Sequence, residues 1–389
     1  MVQVRHFSFL SAADEEHLFH LPPQPVDSDG DPRLVALALG ATLYLPGTRP
    51  RLAEDLAKRV RAGVTSAVVC LEDSIADDEV PAAESNVVTQ LGDLLTSGRP
   101  RPLLFVRVRT PEQLRRVVGG LGDRLRVLTG FVVPKFTAAS GLPYLELLAE
   151  VRRTTGLPLF VMPIMESQEV IHRETRTVAL TQAHELLCEH RHGVLAIRVG
   201  TTDLCSVYGI RRGPDLTVYD VQVVAQVLSD VVNVMGRADE SGFVVCGPVW
   251  EYFGDDNRIF KPLLRESPFV RAEERDLRQL LLATHLDGLV REVVLDRANG
   301  MSGKTVIHPS HVMPVHAMSV VSHEDYHDAL EIDEGSRKGG GVSASGYRNK
   351  MNESKPHRPW AVATLQRAHV FGVARQHVTF VDLLAACTP

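Results

Sequence analysis

From Thr42 to Ser310 the chain repeats one unit, a short apolar run followed by a longer amphipathic stretch. The runs are TLYLPG, SAVVCLED, LLFVRVR, GFVVPKF, PLFVMPIME, VLAIRVGTTD, GFVVCGPV and KTVIHPS, eight in all. Several are apolar on both faces, as strands of a covered parallel sheet are. The stretches between them carry helix punctuation. Thr48 and Pro50 precede a face of Leu52, Leu56 and Val60 that Gly63 ends, and Thr110-Pro111-Glu112 opens another helix in the same way. Eight β-then-α units predict an α/β fold, a closed (β/α)8 TIM barrel rather than an open sheet. The expected organisation is an irregular lead-in over 1–41, a barrel domain over 42–332, and a flexible linker with a C-terminal helical segment over 333–389.

Two of the runs end on carboxylates, Glu166 and Asp203. Neighbouring parallel strands lie about 4.8 Å apart, so both groups can reach one hard cation at the C-terminal rim, where barrels keep their chemistry. A lone acidic residue at a strand end would be read as a helix cap. Glu72 and Asp73 close the second run in the same manner, and Asp73 also suits a capping role. Arg107 and Arg109 alternate with valines and are expected on one face of the third strand.

The formal charge of −6 argues against nucleic acid or an anionic membrane as partner. The five cysteines are scattered and form no C-x-x-C, which suits reduced thiols in a cytoplasmic protein. No signal peptide or membrane span is expected. The segment WEYFGDDNRIFKPLLRESPF, within 250–271, is longer than a plain βα loop and is read as a lid, a substrate wall or a subunit contact.

In order along the chain, YLPGTRPRL, CLEDSI, FVRVRT, VVPKF, PIMES, GTTDL and IHPS resemble the motifs of the citrate lyase β-subunit-like branch of the HpcH/HpaI aldolase superfamily. Within it, the chain is most similar to the C–C bond lyases of the TIM-barrel fold associated with tellurite-resistance gene clusters. The resemblance implies Mg2+-dependent cleavage or formation of a C–C bond beside a carboxylate or thioester, with Mn2+ as an alternative ion. It implies a homo-oligomer, trimer or larger, acting on a small carboxylate or its CoA thioester. Glu166 and Asp203 fall on the metal ligands, Arg107 on the arginine that grips the substrate carboxylate, and Glu72 and Asp73 on the pair that holds metal-bound water. Arg49, Gly200, Thr201 and His308 fall at the substrate, His308 with the equal alternative of fixing the last strand. Lys135, in VVPKF, suggests a Schiff-base aldolase, but the metal pair favours a salt-bridged rim lysine. The other histidines are read as surface or satisfied core residues without ligand spacing.

Two departures stand out. IMESQEV replaces the family's IETARG, which implies an altered pocket, and KMNESKPH replaces a C-terminal M-V-D-x-P, leaving Glu353 as the candidate for the missing catalytic aspartate. Competing readings are a thioester hydrolase or condensing enzyme on the same barrel, and a silent barrel that binds a metabolite.

Overall fold

The computed structural model describes residues 2–253 and 286–387. Its centre is an eight-stranded parallel sheet. The strands are β1 (Ala41–Pro46), β2 (Ser66–Cys70), β3 (Leu103–Arg107), β4 (Gly130–Val133), β5 (Phe160–Met165), β6 (Arg198–Val199), β7 (Gly247–Trp250) and β8 (Lys304–Val306). Each pairs in parallel with its neighbours in sequence, and β8 returns to β1 through Lys304↔Ala41 and Thr305↔Thr42. Between β6 and β7 the ring is closed by the parallel bridge Ile197↔Val245. The TIM barrel is the observed architecture.

The helices that follow successive strands are α1 (Leu52–Arg61), α2 (Val80–Thr96), α3 (Pro111–Leu121), α4 (Ala138–Thr155), α5 (Arg173–Glu189), α6 (Gln222–Met235), α7 (Leu286–Ala298) and α8 (Val312–Ser319). Thr110 caps α3 and Thr137 caps α4, each accepting a hydrogen bond from a first-turn amide, and Pro111 occupies the first turn of α3. Alternation along the strands separates two apolar layers. Val69, Val106 and Val133 face the helices, whereas Val68, Phe105, Val132 and Met162 fill the barrel.

The floor of the barrel comes from both ends of the chain. Val35 and Leu39, on and just after the short helix Pro32–Ala38, join the interior cluster together with Val370 and Phe371. The stretch before β1 also forms the short helix Ala12–Leu18 and the strand Phe19–Leu21, which pairs antiparallel with Val373–Ala374. After the barrel, α9 (His323–Arg337) packs along α10 (Ser354–Phe371) through Ala329, Ile332 and Ala361. The glycine-rich stretch between them, read as flexible, contributes a strand, Val342–Ala344, that pairs with Met351–Glu353. Asp328 holds this hairpin, accepting from Ser345 Oγ at 2.6 Å and Asn352 Nδ2 at 2.9 Å.

Lys304, at the start of β8, is fully buried and donates to Glu292 at 2.9 Å and Asp296 at 2.6 Å on α7. Arg212 also pairs with Glu292 and lies 5.0 Å over the Trp250 ring. This network joins α7 to the seam of the barrel. The long segment after β7 lies, from 254 onward, outside the described residues.

Candidate active site at the barrel mouth

Strands β5 and β6 pair as Ile164↔Arg198 and Met165↔Val199, so the next step of the register sets Glu166 opposite Gly200. A Cβ on Gly200 would lie 1.6 Å from Glu166 Oε2. Only a residue without a side chain lets the carboxylate lie across this turn. Asp203 follows in the first turn of the helix Thr201–Ser206, so the two acids flank the same glycine. Glu166 is 4% exposed, whereas Asp203 opens toward solvent with about a third of its side chain.

On the opposite side of the mouth, Arg107 ends β3 and its Nη2 lies 2.5 Å from Glu72 Oε2 and 3.4 Å from Asp73 Oδ2. Arg109 serves a different purpose. Its guanidinium donates to the carbonyls of Leu71 (2.9 Å) and Glu72 (3.1 Å) and pairs with Asp77, which fixes the loop after β2. Lys135 links the two sides. Its ammonium lies 2.7 Å from Glu72, 3.7 Å from Asp73 and 4.0 Å from Asp203, while its backbone N–H donates to Glu166 Oε1 at 3.1 Å. The backbone of Lys135 is left-handed, φ 48°, a conformation that costs a non-glycine residue roughly 1–3 kcal/mol and is retained where surroundings demand it.

The electrostatics follow from this crowding. Burial, and then the charge of Asp203, push Glu166 up to about 8. Burial and the neighbouring Glu72 also raise Asp73. Glu72 is driven down: burial opposes ionisation, but Arg107 and the hydrogen bonds from Asp73 and Lys135 overcome it. Lys135 is raised, because its pairing with Glu72 outweighs desolvation, so it stays an ammonium ion and is a poor amine nucleophile.

A sequence model of the C–C bond lyases of the TIM-barrel fold matches residues 33–373. The chain belongs to this family. A comparison with proteins of curated function finds no match. Among solved structures, the family member resembles a protein CitE from Mycobacterium tuberculosis, crystallised with magnesium, acetoacetate and coenzyme A. The two share 20% identity with a TM-score of 0.54, over 86% of this chain and 99% of that one. It also resembles a citrate lyase from Burkholderia xenovorans LB400, at 17% identity and TM-score 0.59, over 89% of this chain and 96% of that one. At these identities the likeness concerns the fold.

The remaining candidates of this C–C bond lyase family member occupy different places. Thr201 is buried beside Gly200. Arg49 lies on the loop after β1, where Asn86 holds the carbonyls of Gly47 and Arg49, and its side chain pairs with Asp55 at 3.0 Å rather than with the acidic cluster. His308 follows β8 and stacks flat on Phe253, centroids 4.5 Å apart. Glu353 is not brought to this cluster by its own chain. It ends the hairpin beside α9, exposed, with its amide donating to His357 Nδ1 at 3.1 Å. Among the described residues, no helix is long and apolar enough to cross a membrane.

Sequence reasoning passed over Arg198. It is 1% exposed inside the barrel, 5.5 Å over the Tyr44 ring, and hydrogen-bonded to Thr42 and Thr305; among the described residues its Nε meets no acceptor. Arg107 lies over the same Tyr44 ring at 5.9 Å, which makes a column of two guanidinium groups beneath the mouth. An arginine inside an otherwise apolar strand was the available signal. The reading of the other histidines needs correction as well. His316 is a satisfied core residue that accepts the Ala41 amide at 3.1 Å, but His323 and His327 stand four apart on α9, a ligand spacing.

Proposed function

We propose that this family member cleaves or forms a C–C bond beside a carboxylate with one divalent cation, Mg2+ first, held by Glu166 and Asp203. The observation that carries the reading is the charge balance at the mouth. Four carboxylates (Glu72, Asp73, Glu166, Asp203) meet two cations (Arg107, Lys135), and the most buried acid holds its proton up to about 8. With all four ionised, the acids would exceed these two cations by two charges; without a metal, the proton on Glu166 relieves part of that excess. A divalent ion that prefers hard oxygen donors, keeps several waters and leaves positions for a substrate would take the place of that proton. When bound, such an ion supplies Lewis acidity to a carbonyl-bearing acid.

The side chains then have separable tasks. Arg107, 11% exposed and braced by Glu72, presents a planar fork to a substrate carboxylate, and Arg198 beneath it adds positive potential. Asp73, exposed and with raised proton affinity, is placed to hold or deliver a proton at its Oδ2. That assignment fills the gap left by Glu353, which is elsewhere in the chain's own fold. Gly200 and Thr201 line the turn against Glu166. The CitE complexed with magnesium, acetoacetate and coenzyme A supports the substrate class of small keto acids, with a thioester as the second form.

The test is calorimetric titration of Mg2+, alone and with oxaloacetate, pyruvate or glyoxylate, with and without CoA, against the Glu166→Gln/Asp203→Asn double variant. The reading expects binding in the parent and at least a tenfold loss in a folded variant. Equal affinity in both would overturn it. Mg2+ binding without turnover of any acid would favour the silent barrel.

A further inference from the structure

Away from the mouth, three imidazoles meet where the two ends of the chain are joined. His20 lies on the strand Phe19–Leu21, and His323 and His327 lie on the first turns of α9, whose N-cap is Ser322. One ligand atom from each falls within 4.8 Å of the others. We propose that His20, His323 and His327 form a second metal site, selective for a borderline transition ion such as Zn2+ and independent of the cation at the mouth.

The geometry is that of a partly assembled site. Residues four apart on a helix share a face, and His323 Nε2 lies 3.3 Å from His327 Nε2. Two nitrogens bound tetrahedrally to zinc at about 2.05 Å stand about 3.3–3.4 Å apart. In the metal-free state those two atoms can only share one proton. A cation between them satisfies both. The other nitrogen of His323, Nδ1, lies 2.7 Å from the Tyr347 hydroxyl, a partner that fixes the ring orientation and tautomer as the outer contacts of metal-bound histidines do. His20 completes the triangle with its ring 4.8 Å from that of His323. It is exposed, so a side-chain rotation brings it into bonding range. Three imidazoles with no carboxylate among them select zinc, cobalt, nickel or copper over magnesium. They leave one position for water.

A bound ion would tie the N-terminal strand to α9 and to the hairpin that carries Tyr347. It therefore acts as a clasp on the segments that close the barrel floor.

The experiment uses the untagged full-length protein, stripped with chelator and returned to buffer containing Mg2+. Zn2+ is titrated by calorimetry, Co2+ by visible absorption, and melting temperature is recorded with and without Zn2+. One equivalent of zinc is expected to bind at micromolar concentration or tighter and to raise the melting temperature by about 3 °C at saturation. Cobalt is expected to give the intense visible band of a four-coordinate ion. His327→Ala and His323→Ala should each weaken zinc at least tenfold and abolish the thermal shift, and Tyr347→Phe should weaken it about tenfold. Glu166→Gln should leave it unchanged, which separates this site from the mouth. Zinc binding equal in the parent and the His20→Ala/His323→Ala/His327→Ala variant, or lost in Glu166→Gln instead, would overturn the proposal.

Discussion

Gly200 and Glu166 are matched: the glycine's missing side chain is the space that the glutamate carboxylate occupies, with 1.6 Å from the would-be Cβ to Oε2. Gly200→Ala must therefore displace the carboxylate or the turn after β6. Overpacking of this kind costs about 1–3 kcal/mol. The expected outcome is a melting temperature a few degrees lower and Mg2+ affinity reduced at least tenfold. Calorimetry on the folded variant checks it, and full affinity would separate the glycine from the ion.

Glu166 also gives a pH dependence with a definite sign. Its proton is held up to about 8 in the fold but leaves near the ordinary 4.5 in the unfolded chain. Between those values the folded state binds more protons, so stability without a metal falls as pH rises, by at most about 1.4 kcal/mol per unit from this group. Glu166→Gln removes that slope. Chemical denaturation in chelator at pH 5, 6, 7 and 8 should show the variant gaining on the parent as pH increases. Parallel curves would contradict the burial of this acid.

Arg107→Lys keeps the charge and loses the fork. Affinity for a carboxylate substrate, read as KM or by titration with the acid, is expected to fall about tenfold, since a charge-assisted hydrogen bond contributes about 1.5–3 kcal/mol. An unchanged KM would remove the clamp role.

Lys304→Met leaves buried Asp296 without its ion-pair partner and Glu292 with Arg212 alone. Asp296 is already raised to about 6 by burial against the pull of Lys304. Removing one partner of a buried ion pair costs about 3–5 kcal/mol. Urea unfolding should show that loss, with partial recovery in Lys304→Met/Glu292→Gln/Asp296→Asn.

Removing all residues beyond Gly335 takes away α10 and Val373–Ala374. These supply Val370 and Phe371 to the barrel floor and the partner of Phe19–Leu21. The expected result is loss of a cooperative thermal transition by circular dichroism, beyond any effect on turnover. A truncated chain that melts like the parent would contradict this.

The barrel was legible because its strands are short and apolar and its helices punctuated, a pattern that survives without tertiary knowledge. Glu166, Glu72 and Asp73 stood out as candidates because they closely follow apolar strands, and Asp203 because it lies in the first helical turn just after one. Lys135 was visible as a residue but not as the bridge between both sides of the mouth, since a left-handed backbone at that position is set by the surrounding loops. Gly200 could be read as a motif glycine, yet its fit to Glu166 exists only once β5 and β6 are in register. The His323/His327 spacing was legible in the sequence and passed over, whereas His20 joins them only through the fold, from the opposite end of the chain. The lead-in likewise has no strong periodicity, and its strand Phe19–Leu21 pairs, among the described residues, only with Val373–Ala374.

That last pairing bears on how the polypeptide matures during synthesis. Phe19–Leu21 leaves the ribosome long before its complement, Val373–Ala374, is made. Throughout elongation the half-made cylinder exposes the apolar base that Val370 and Phe371 will cover, a surface on which chaperones act. Synthesis of Val370 to Ala374, rather than completion of any one βα repeat, is the step that lets the barrel floor close.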